Sequence, residues 1–438
     1  MNRTQKFLKG LYFAGALLMV LPACDFRGER RVQELMAAEE NAGPVRMLLV
    51  GDPFAMALTR SRTELEAHLG RKIYLEIVGY NDGRRLTLLN ARDAVSHFDL
   101  VAFDVVWLGE YHQKRVLADL SGWLSIRRDQ FWEWAIAASE IEGALYGLPI
   151  QPHGELLWVR RDLLEEAGMA PPETTEDLLA FAAQVHDPSR QIYGLAWNAQ
   201  RGQALGQTMA HFFAAFGVDL LDAQGRPAFH TEAGLEAARF ALDLLALSPP
   251  DIHSMAWDQR TARFAAGQVA MTYGWGARTY MVEKEPYSVV GGQVLYLPAP
   301  HAPGRDPVTP VGAWALGVPA NAASVERSVE VLEALFDPVV QKMLVQGGYT
   351  TPGLRAIAED PEIWVSYPVL EQMAVLGQKG HLGFAMRPRI PEWDALCGIL
   401  GTTFHNMLLG TYTPEEAMER AFAEASRLFE DAEGARAE

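Results

Sequence analysis

Two aspartates and a tryptophan stand where their side chains could bind a ligand. Asp104 interrupts the apolar run LVAFDVVW, and a buried carboxylate is costly unless it is paired or hydrogen-bonded. Asp52 follows the apolar run VRMLLV, and Trp275 lies in YGWGAR, where two glycines allow a backbone to approach a ligand closely. Each residue has a simpler role as well: the aspartates could cap the next helix, and tryptophan often belongs to a core.

Motifs for catalysis are missing from the sequence. It contains no G-x-S-x-G nucleophile elbow, no GxxxxGK[ST] phosphate loop and no H-E-x-x-H zinc motif. The eleven histidines are scattered singly, without the pairing that zinc sites usually have. We therefore predict a binding protein with no catalytic residue, metal or cofactor. An exported glycan hydrolase is the alternative, because sequence alone does not show whether two carboxylates form a glycosidase dyad.

The first 24 residues have the pattern of a lipoprotein signal. Residues 1–10 carry three basic side chains and no acid, and residues 11–21 are almost wholly apolar. This apolar stretch is shorter than the ~20 residues of a membrane-spanning helix. The stretch LPAC resembles a bacterial lipobox, which implies removal of residues 1–23 and lipidation of Cys24. The alternative is an unlipidated cysteine after a plain signal peptide.

Composition limits the remaining part of the chain. Residues 24–43 are charged and small, and we predict a flexible spacer there. Removing residues 1–23, which carry three positive charges and no negative one, changes the formal charge from −17 to −20. Nucleic-acid binding is not expected, because no basic run could neutralise phosphates. Cys397 is then the remaining cysteine, so no disulfide can form within the chain.

Strand-like and helix-like segments alternate from residue 45 onwards. Apolar runs at 45–50, 71–80 and 98–108 have the length of buried strands. Strands that alternate with helices indicate a parallel α/β sheet, in which ligands bind beyond the carboxyl ends of the strands. The loops that contain Asp52 and Asp104 should therefore share one edge of the sheet.

Amphipathic helices are predicted in the middle and at the end of the chain. They comprise a helix capped by Thr174 or Thr175, helices at 231–247 and 324–345, and a helix in the last 25 residues.

Several segments resemble, in their order and spacing, the extracytoplasmic solute-binding proteins of bacterial ABC importers, in the carbohydrate-binding group. The segments include FDLVAFDVVWLGEYHQKRVLADLSGWL (98–124), ARFAAGQVAMTYGWGAR (262–278) and GAWALGVPANAASVERSVEVLEAL (312–335). FDVVWLGEY and RPRIPEW are most similar to trehalose- and maltose-type binding lipoproteins. The resemblance implies an α/β, two-lobed periplasmic-binding-protein fold of type II, with a ligand cleft between lobes that are joined by hinge strands.

The same resemblance implies boundaries for the two lobes. Lobe one would comprise 44–150 plus 311–350, and lobe two 151–310 plus 351–438. The hinge strands would run through 148–152, 309–312 and 349–353.

A sugar site needs flat aromatic faces and fixed hydrogen-bonding groups. By resemblance, Trp275 stacks on a sugar, Asp104 accepts hydroxyl hydrogens, and Arg387 reaches into the cleft, with Arg389 as the competing choice. Trp158 is assigned to core packing. The complete predicted ligand-binding set is Asp52, Asp104, Trp107, His153, Gln203, Trp275, Arg278, Trp314 and Arg387. His153 departs from the pattern, since the closest relatives have an amide-type residue there.

The predicted function is that of a monomeric, lipid-anchored receptor for a sugar importer. It would bind a di- or oligosaccharide, with α-glucosides such as trehalose or maltose as the nearest likeness, and deliver it to the membrane permease. The protein would be exported and held at the outer face of the cytoplasmic membrane, the periplasmic side in a Gram-negative host. A polyol, a glycerophosphate or a polyamine is the alternative ligand, and a sensory or adhesion lipoprotein is a further alternative function.

Overall fold

The computed structural model describes residues 43–284, 286, 288–384 and 386–437. The predicted signal peptide, the lipidation site at Cys24 and all but the last residue of the predicted spacer lie outside these residues. Within the described ranges, no helix is both long and apolar enough to cross a membrane.

Eleven strands occur in the described residues, and nine of them belong to one mixed sheet. They are β1 Val45–Val50, β2 Ile73–Val78, β3 Leu100–Asp104, β4 Glu140–Ile141, β5 Ala144–Leu145, β6 Leu148–Arg160, β7 Tyr193–Ala196, β8 Val269–Trp275, β9 Val294–Leu297, β10 Thr309–Gly317 and β11 Leu382–Gly383. The main sheet has the order β2-β1-β3-β10-β6-β8-β7, with β9 beside β6 and β11 beside β10. Strands β4 and β5 form a separate antiparallel pair.

Helices cover the sheet and form most of the second half of the chain. They are α1 Pro53–Arg60, α2 Arg62–Leu69, α3 Tyr80–Asn90, α4 Leu108–Gln113, α5 Glu133–Ala137, α6 Arg161–Ala167, α7 Thr175–Val185, α8 Gln203–Ala215, α9 Glu232–Ala246, α10 Trp257–Ala265, α11 Tyr280–Glu283, α12 Val325–Leu335, α13 Pro338–Gln346, α14 Arg355–Ala358, α15 Pro361–Ser366, α16 Val369–Lys379, α17 Trp393–Leu408 and α18 Pro414–Ala437.

The first half of the sheet has the predicted parallel order. Strand β1 pairs in parallel with β2 on one side and with β3 on the other. The two central strands, β1 and β3, are short apolar runs that are buried along almost their whole length, as expected for strands covered on both faces. Their carboxyl ends therefore bring the loops after Val50 and Asp104 to the same edge, which confirms that part of the prediction.

Strands β6 and β10 connect the two halves of the sheet. The start of β6 pairs with β10, and its end pairs with β8 and β9. Strand β10 pairs through its carboxyl half with β3 as well. The predicted hinge segments 148–152 and 309–312 lie on these two shared strands. The lobe boundaries themselves remain predictions.

The third predicted hinge strand is not a strand. Residues 349–353 are irregular, and they follow Gly348, whose φ of 99° turns the chain out of an extended path. The backbone N–H of Gly353 donates to the side-chain oxygen of Tyr349 at 3.1 Å. This segment satisfies its backbone locally instead of joining the sheet.

The helix predictions are confirmed in part. Thr174 caps α7, because its side chain accepts from the backbone N–H of Asp177. The prediction of a single helix over 324–345 is wrong, because two helices, α12 and α13, occupy that range. Asp337 accepts from the N–H of Val339 at 2.8 Å, and Pro338 is the first residue of α13. An N-cap followed by proline starts a new helix.

Helices α8 and α17 pack so closely that Gly206 has no room for a side chain. A Cβ added at Gly206 would overlap the carbonyl oxygen of Cys397, whereas a Cβ at Gly398 would meet open space. We expect Gly206→Ala to lower the free energy of unfolding by at least about 1–3 kcal/mol, the usual cost of overpacking. Gly398→Ala should be neutral or stabilise by up to about 1 kcal/mol through helix propensity. Urea unfolding of both variants measures this, and equal effects would contradict the packing described here.

Candidate ligand-binding site

A cavity of about 210 Å³ lies at the edge of the sheet where β1, β2 and β3 end. Seven of the nine predicted residues line it, namely Asp52, Asp104, His153, Trp275, Arg278, Trp314 and Arg387. They come from segments that are far apart in sequence, so the fold rather than the local sequence brings them together.

Asp104 and Arg387 form a buried ion pair in the cavity wall. Each residue is 5% exposed, and Nη2 of Arg387 donates to Oδ2 of Asp104 at 2.8 Å. The same carboxylate oxygen accepts from the hydroxyl of Tyr80 at 3.0 Å. A buried carboxylate needs such partners to remain charged.

Arg387 is oriented by contacts on several sides. Its Nη1 donates to the carbonyl of Val311 at 3.1 Å, and its guanidinium carbon lies 5.1 Å from the centre of the Trp275 ring. Its Nε has no hydrogen-bond partner among the described residues. The planar group is thus fixed in place in the cavity lining, and a fixed guanidinium suits recognition of ligand oxygens.

Asp52 offers a buried acceptor to the cavity. It is the N-cap residue of α1, yet its side chain makes no capping hydrogen bond. Its Oδ1 lies 3.4 Å from Nη2 of Arg278, without a hydrogen bond to any described residue. Burial raises the pKa of Asp52 to about 6, against the lowering effect of Arg278. Arg278 is itself hydrogen-bonded to Asp258, so Asp52 has no exclusive partner.

His153 is a neutral ring that lines the cavity. Burial, with a smaller contribution from Arg387, lowers the pKa of His153 to about 3. Its ring meets the edge of Trp275 at a centroid distance of 5.0 Å. Its Nδ1 has no hydrogen-bond partner in the described part of the chain. A neutral imidazole has one donor and one acceptor nitrogen, so it can pair with a ligand hydroxyl in either sense.

An aromatic cluster forms another part of the cavity lining. Tyr80 is its centre, with ring centroids 5.5 Å from Trp257 and 5.9 Å from Trp314. Tyr80 and Trp257 also line the cavity, as does Asp258. These three residues were not predicted. Tyr80 follows β2 as Asp52 follows β1. The expectation that ligands bind beyond the carboxyl ends of parallel strands therefore applies to Tyr80 as well.

Two predicted residues lie outside the cavity. Trp107 is 2% exposed and packs edge-on behind Trp314, with ring centroids 5.4 Å apart. Gln203 donates from Nε2 to the carbonyl of Asp394 at 2.8 Å, so its side chain serves packing between α8 and the start of α17. Arg389 donates to the carbonyls of Ala137 and Glu140, so of the two competing arginines it is Arg387 that lines the cavity.

Two further tryptophans, Trp158 and Trp197, belong to the core. Trp158 is fully buried, as predicted. Trp197 is fully buried as well, and its Nε1 donates to Ser248 at 2.9 Å. The described residues contain no group of three or more His, Cys, Asp or Glu side chains that could hold a metal ion.

Comparison with known proteins shows several similar chains. The mannitol-binding protein of Pseudomonas aeruginosa is 23% identical over 354 residues, which cover 74% of this chain and 80% of that protein. A solute-binding protein of an ABC transporter from Agrobacterium radiobacter K84, solved with ribitol, is 25% identical with a TM-score of 0.83, and covers 88% of this chain and 98% of that chain. The maltose-bound MalE3 of T. maritima is 19% identical with a TM-score of 0.80, and covers 88% of this chain and 100% of that chain.

These similarities confirm the two-lobed α/β binding-protein fold that the sequence predicted. Two of the three similar chains are named as binding proteins, and the third was solved with maltose bound. Residues 56–342, about two thirds of the chain, match the family described as bacterial extracellular solute-binding protein. The chain therefore belongs to the family of bacterial extracellular solute-binding proteins.

Proposed function

We propose that this chain is the substrate-binding lipoprotein of a bacterial ABC importer and that it takes a small polyhydroxylated solute, a sugar alcohol or a monosaccharide. The observation that carries this proposal is that the cavity is lined, among aromatic rings, by polar side chains with buried and unsatisfied hydrogen-bonding atoms. Asp52 Oδ1, His153 Nδ1 and Arg387 Nε have no hydrogen-bond partner within the described ranges. They lie among the aromatic rings of Tyr80, Trp275 and other lining residues. Ligand hydroxyls would hydrogen-bond with these polar side chains, and ligand C–H groups would contact the rings.

The size of the cavity favours a small ligand. Its volume of about 210 Å³ is below the range of roughly 300–1,000 Å³ that is usual for pockets holding drug-sized ligands. Two similar proteins are described with ribitol and with mannitol. Both compounds are small sugar alcohols, as the small cavity favours. The α-glucoside disaccharide that the sequence suggested would need a wider opening between the lobes, and it remains a second candidate because of the likeness to a maltose-bound protein.

The charges of the cavity favour a neutral ligand. Its lining contains three carboxylates, Asp52, Asp104 and Asp258, and two guanidinium groups, Arg278 and Arg387. The arginines are already engaged by carboxylates. A phosphate group would want a surplus of arginines or lysines, and a polyamine would want a larger surplus of carboxylates. Neither surplus is present.

Delivery and anchoring complete the proposal. We infer that the lobes close on the ligand, since a ligand that binds the closed form better shifts the population toward it. The closed protein would then dock on the permease as a monomer. Lipid on Cys24 would hold it at the outer face of the cytoplasmic membrane, and more than one acyl chain makes such an anchor stable. Metabolic labelling with a radioactive fatty acid, with Cys24→Ala as control, tests this part.

Thermal unfolding against a panel of ligands tests the proposal. Soluble protein that begins after Cys24 is heated with pentitols, hexitols, monosaccharides, α-glucosides, glycerophosphate, amino acids and polyamines. A ligand at 100 times its dissociation constant stabilises by about 2.7 kcal/mol, which raises the melting temperature measurably. A response to one alditol or monosaccharide supports the proposal. A response confined to charged ligands, or release of product from an oligosaccharide, would refute it.

The affinity for a neutral ligand should fall in acid. If a ligand hydroxyl donates to ionised Asp52, a proton on that carboxylate competes with the ligand. Because the pKa of Asp52 in the free protein is raised to about 6, the affinity should be constant above pH 7 and about tenfold lower at pH 5. Titration calorimetry between pH 5 and pH 8 measures the profile. An affinity that does not change over this range would exclude Asp52 as an ionised acceptor.

A further inference from the structure

A buried charged cluster lies outside the cavity, behind its wall. Nη2 of Arg260 donates to Oε1 of Glu155 at 2.6 Å, and Nδ1 of His211 lies 3.5 Å from Oε2 of the same carboxylate. The three residues are between 1% and 4% exposed. Burial alone would raise the pKa of Glu155, but Arg260 and His211 outweigh it and lower the pKa to about 2. None of the three lines the cavity.

Strand geometry relates this cluster to the ligand site. Glu155 and His153 are two residues apart on β6, so their side chains emerge on the same face. Glu155 is also the register partner of Trp275 on β8. The carboxylate therefore stands next to two residues that line the cavity.

Two helices, α10 and α8, each place a side chain against the Glu155 carboxylate, and each also contributes to the cavity or to a residue that lines it. Arg260 is on α10, whose first two residues, Trp257 and Asp258, line the cavity. His211 is on α8, one turn after Gln207, whose Oε1 lies 3.4 Å from Nη2 of Arg387. Residues one turn apart lie on the same face of a helix.

We propose that Glu155 is a positioning residue for ligand binding. It holds α10 and α8 against β6 and thereby fixes the part of the cavity wall that Trp257 and Asp258 form. The inference rests on the proposed function of that cavity. A buried ion pair is weak evidence for a gain in stability, because apolar side chains of similar volume often serve as well. What the pair supplies beyond packing is a directed contact that sets the placement of two helices.

Fluorine NMR of the protein without ligand tests the placement directly. The tryptophans are labelled as 5-fluorotryptophan and assigned by single Trp→Phe replacements. In Glu155→Gln we expect the signals of Trp257 and Trp275 to shift. Those of Trp123 and Trp132, which lie between α4 and α5 in the chain and do not line the cavity, should stay in place. Asp222→Asn, which breaks an exposed ion pair with Arg226, is the matched control and should move none of them.

A second variant separates positioning from folding. The triple variant Glu155→Leu, His211→Phe and Arg260→Met replaces the charged cluster by apolar side chains of broadly similar size. We expect its melting temperature to be close to that of the wild type, with shifted Trp257 and Trp275 signals and an affinity at least tenfold weaker for the ligand found in the panel. This variant also covers the case in which Glu155→Gln does not fold.

The outcomes distinguish this inference from the proposed function. Unmoved Trp257 and Trp275 signals in both variants would overturn the positioning role, whatever the ligand is. Wild-type affinity in a variant whose signals have moved would overturn it as well. If no neutral compound of the panel binds, the proposed function is refuted instead. The fluorine spectra would still decide the placement of α10.

Discussion

Asp104→Ala is expected to weaken ligand binding by at least about 100-fold, because it removes an acceptor of the cavity and releases Arg387. It should also lower the free energy of unfolding by about 3–5 kcal/mol, since the guanidinium of Arg387 is left buried without its carboxylate. Tyr80 loses its acceptor at the same time. Titration calorimetry and urea unfolding give the two numbers.

Two further variants control this experiment. Asp394→Asn alters a partly exposed ion pair with Arg84 and should change stability by less than about 1 kcal/mol. Asp104→Leu combined with Arg387→Met replaces the buried pair by apolar side chains, which often restores stability. We expect this double variant to recover its fold but not its affinity. Recovery of binding in the double variant would show that the ion pair does not contact the ligand.

Asp52→Asn is expected to stabilise the protein while it weakens binding, so its two effects have opposite signs. The pKa of Asp52 is raised from 3.8 to about 6 by burial. A raised pKa means that the folded state holds the proton more tightly than the unfolded state. The free energy of unfolding therefore falls as the pH rises from about 4 to about 6. Above that range Asp52 is ionised in both states and the free energy of unfolding falls no further.

The size of this effect follows from the shift. At about 1.4 kcal/mol per pKa unit, the ionised carboxylate costs up to about 3 kcal/mol at pH 7, and the neutral amide of the Asp52→Asn variant would remove that cost. Urea unfolding from pH 4 to pH 8 should show equal stabilities at pH 4 and a growing advantage for Asp52→Asn above it. A variant that is less stable than the wild type at pH 7 would contradict the description of Asp52 as a carboxylate whose burial is not fully compensated by its partners.

The sequence allowed prediction of those site residues that obey a local rule. Asp52 and Asp104 follow parallel strands, and such positions share one edge of a sheet. Trp275 has glycine on both sides, and both Trp275 and Arg387 were supported by the resemblance to solute-binding proteins. Tyr80 also follows a parallel strand. It was not predicted because an aromatic residue after Val78 and Gly79 does not stand out from an apolar run as an aspartate does.

Residues whose placement depends on tertiary packing could not be predicted. Trp257 and Asp258 reach the cavity because α10 is held on the second half of the sheet, and no local pattern indicates where that helix begins relative to β1. Trp107 and Trp314 have similar apolar surroundings in sequence. They differ in the structure because Trp314 lies on shared strand β10, whereas Trp107 packs behind it.

The break between α12 and α13 could have been predicted. Phe336-Asp337-Pro338 contains an N-cap residue followed by proline, the usual start of a new helix. Helical periodicity continues across the break, and that continuity hid it.

Titration calorimetry of the protein that begins after Cys24 tests the central claim most directly. The ligand is the alditol or monosaccharide with the largest thermal response, and Asp104→Ala is titrated in parallel. We predict binding of one ligand per chain with a dissociation constant near the micromolar range, about −8 kcal/mol, and no measurable binding to Asp104→Ala. Equal binding to both proteins would place the ligand outside this cavity, and no binding of any neutral sugar or polyol would contradict the proposed function.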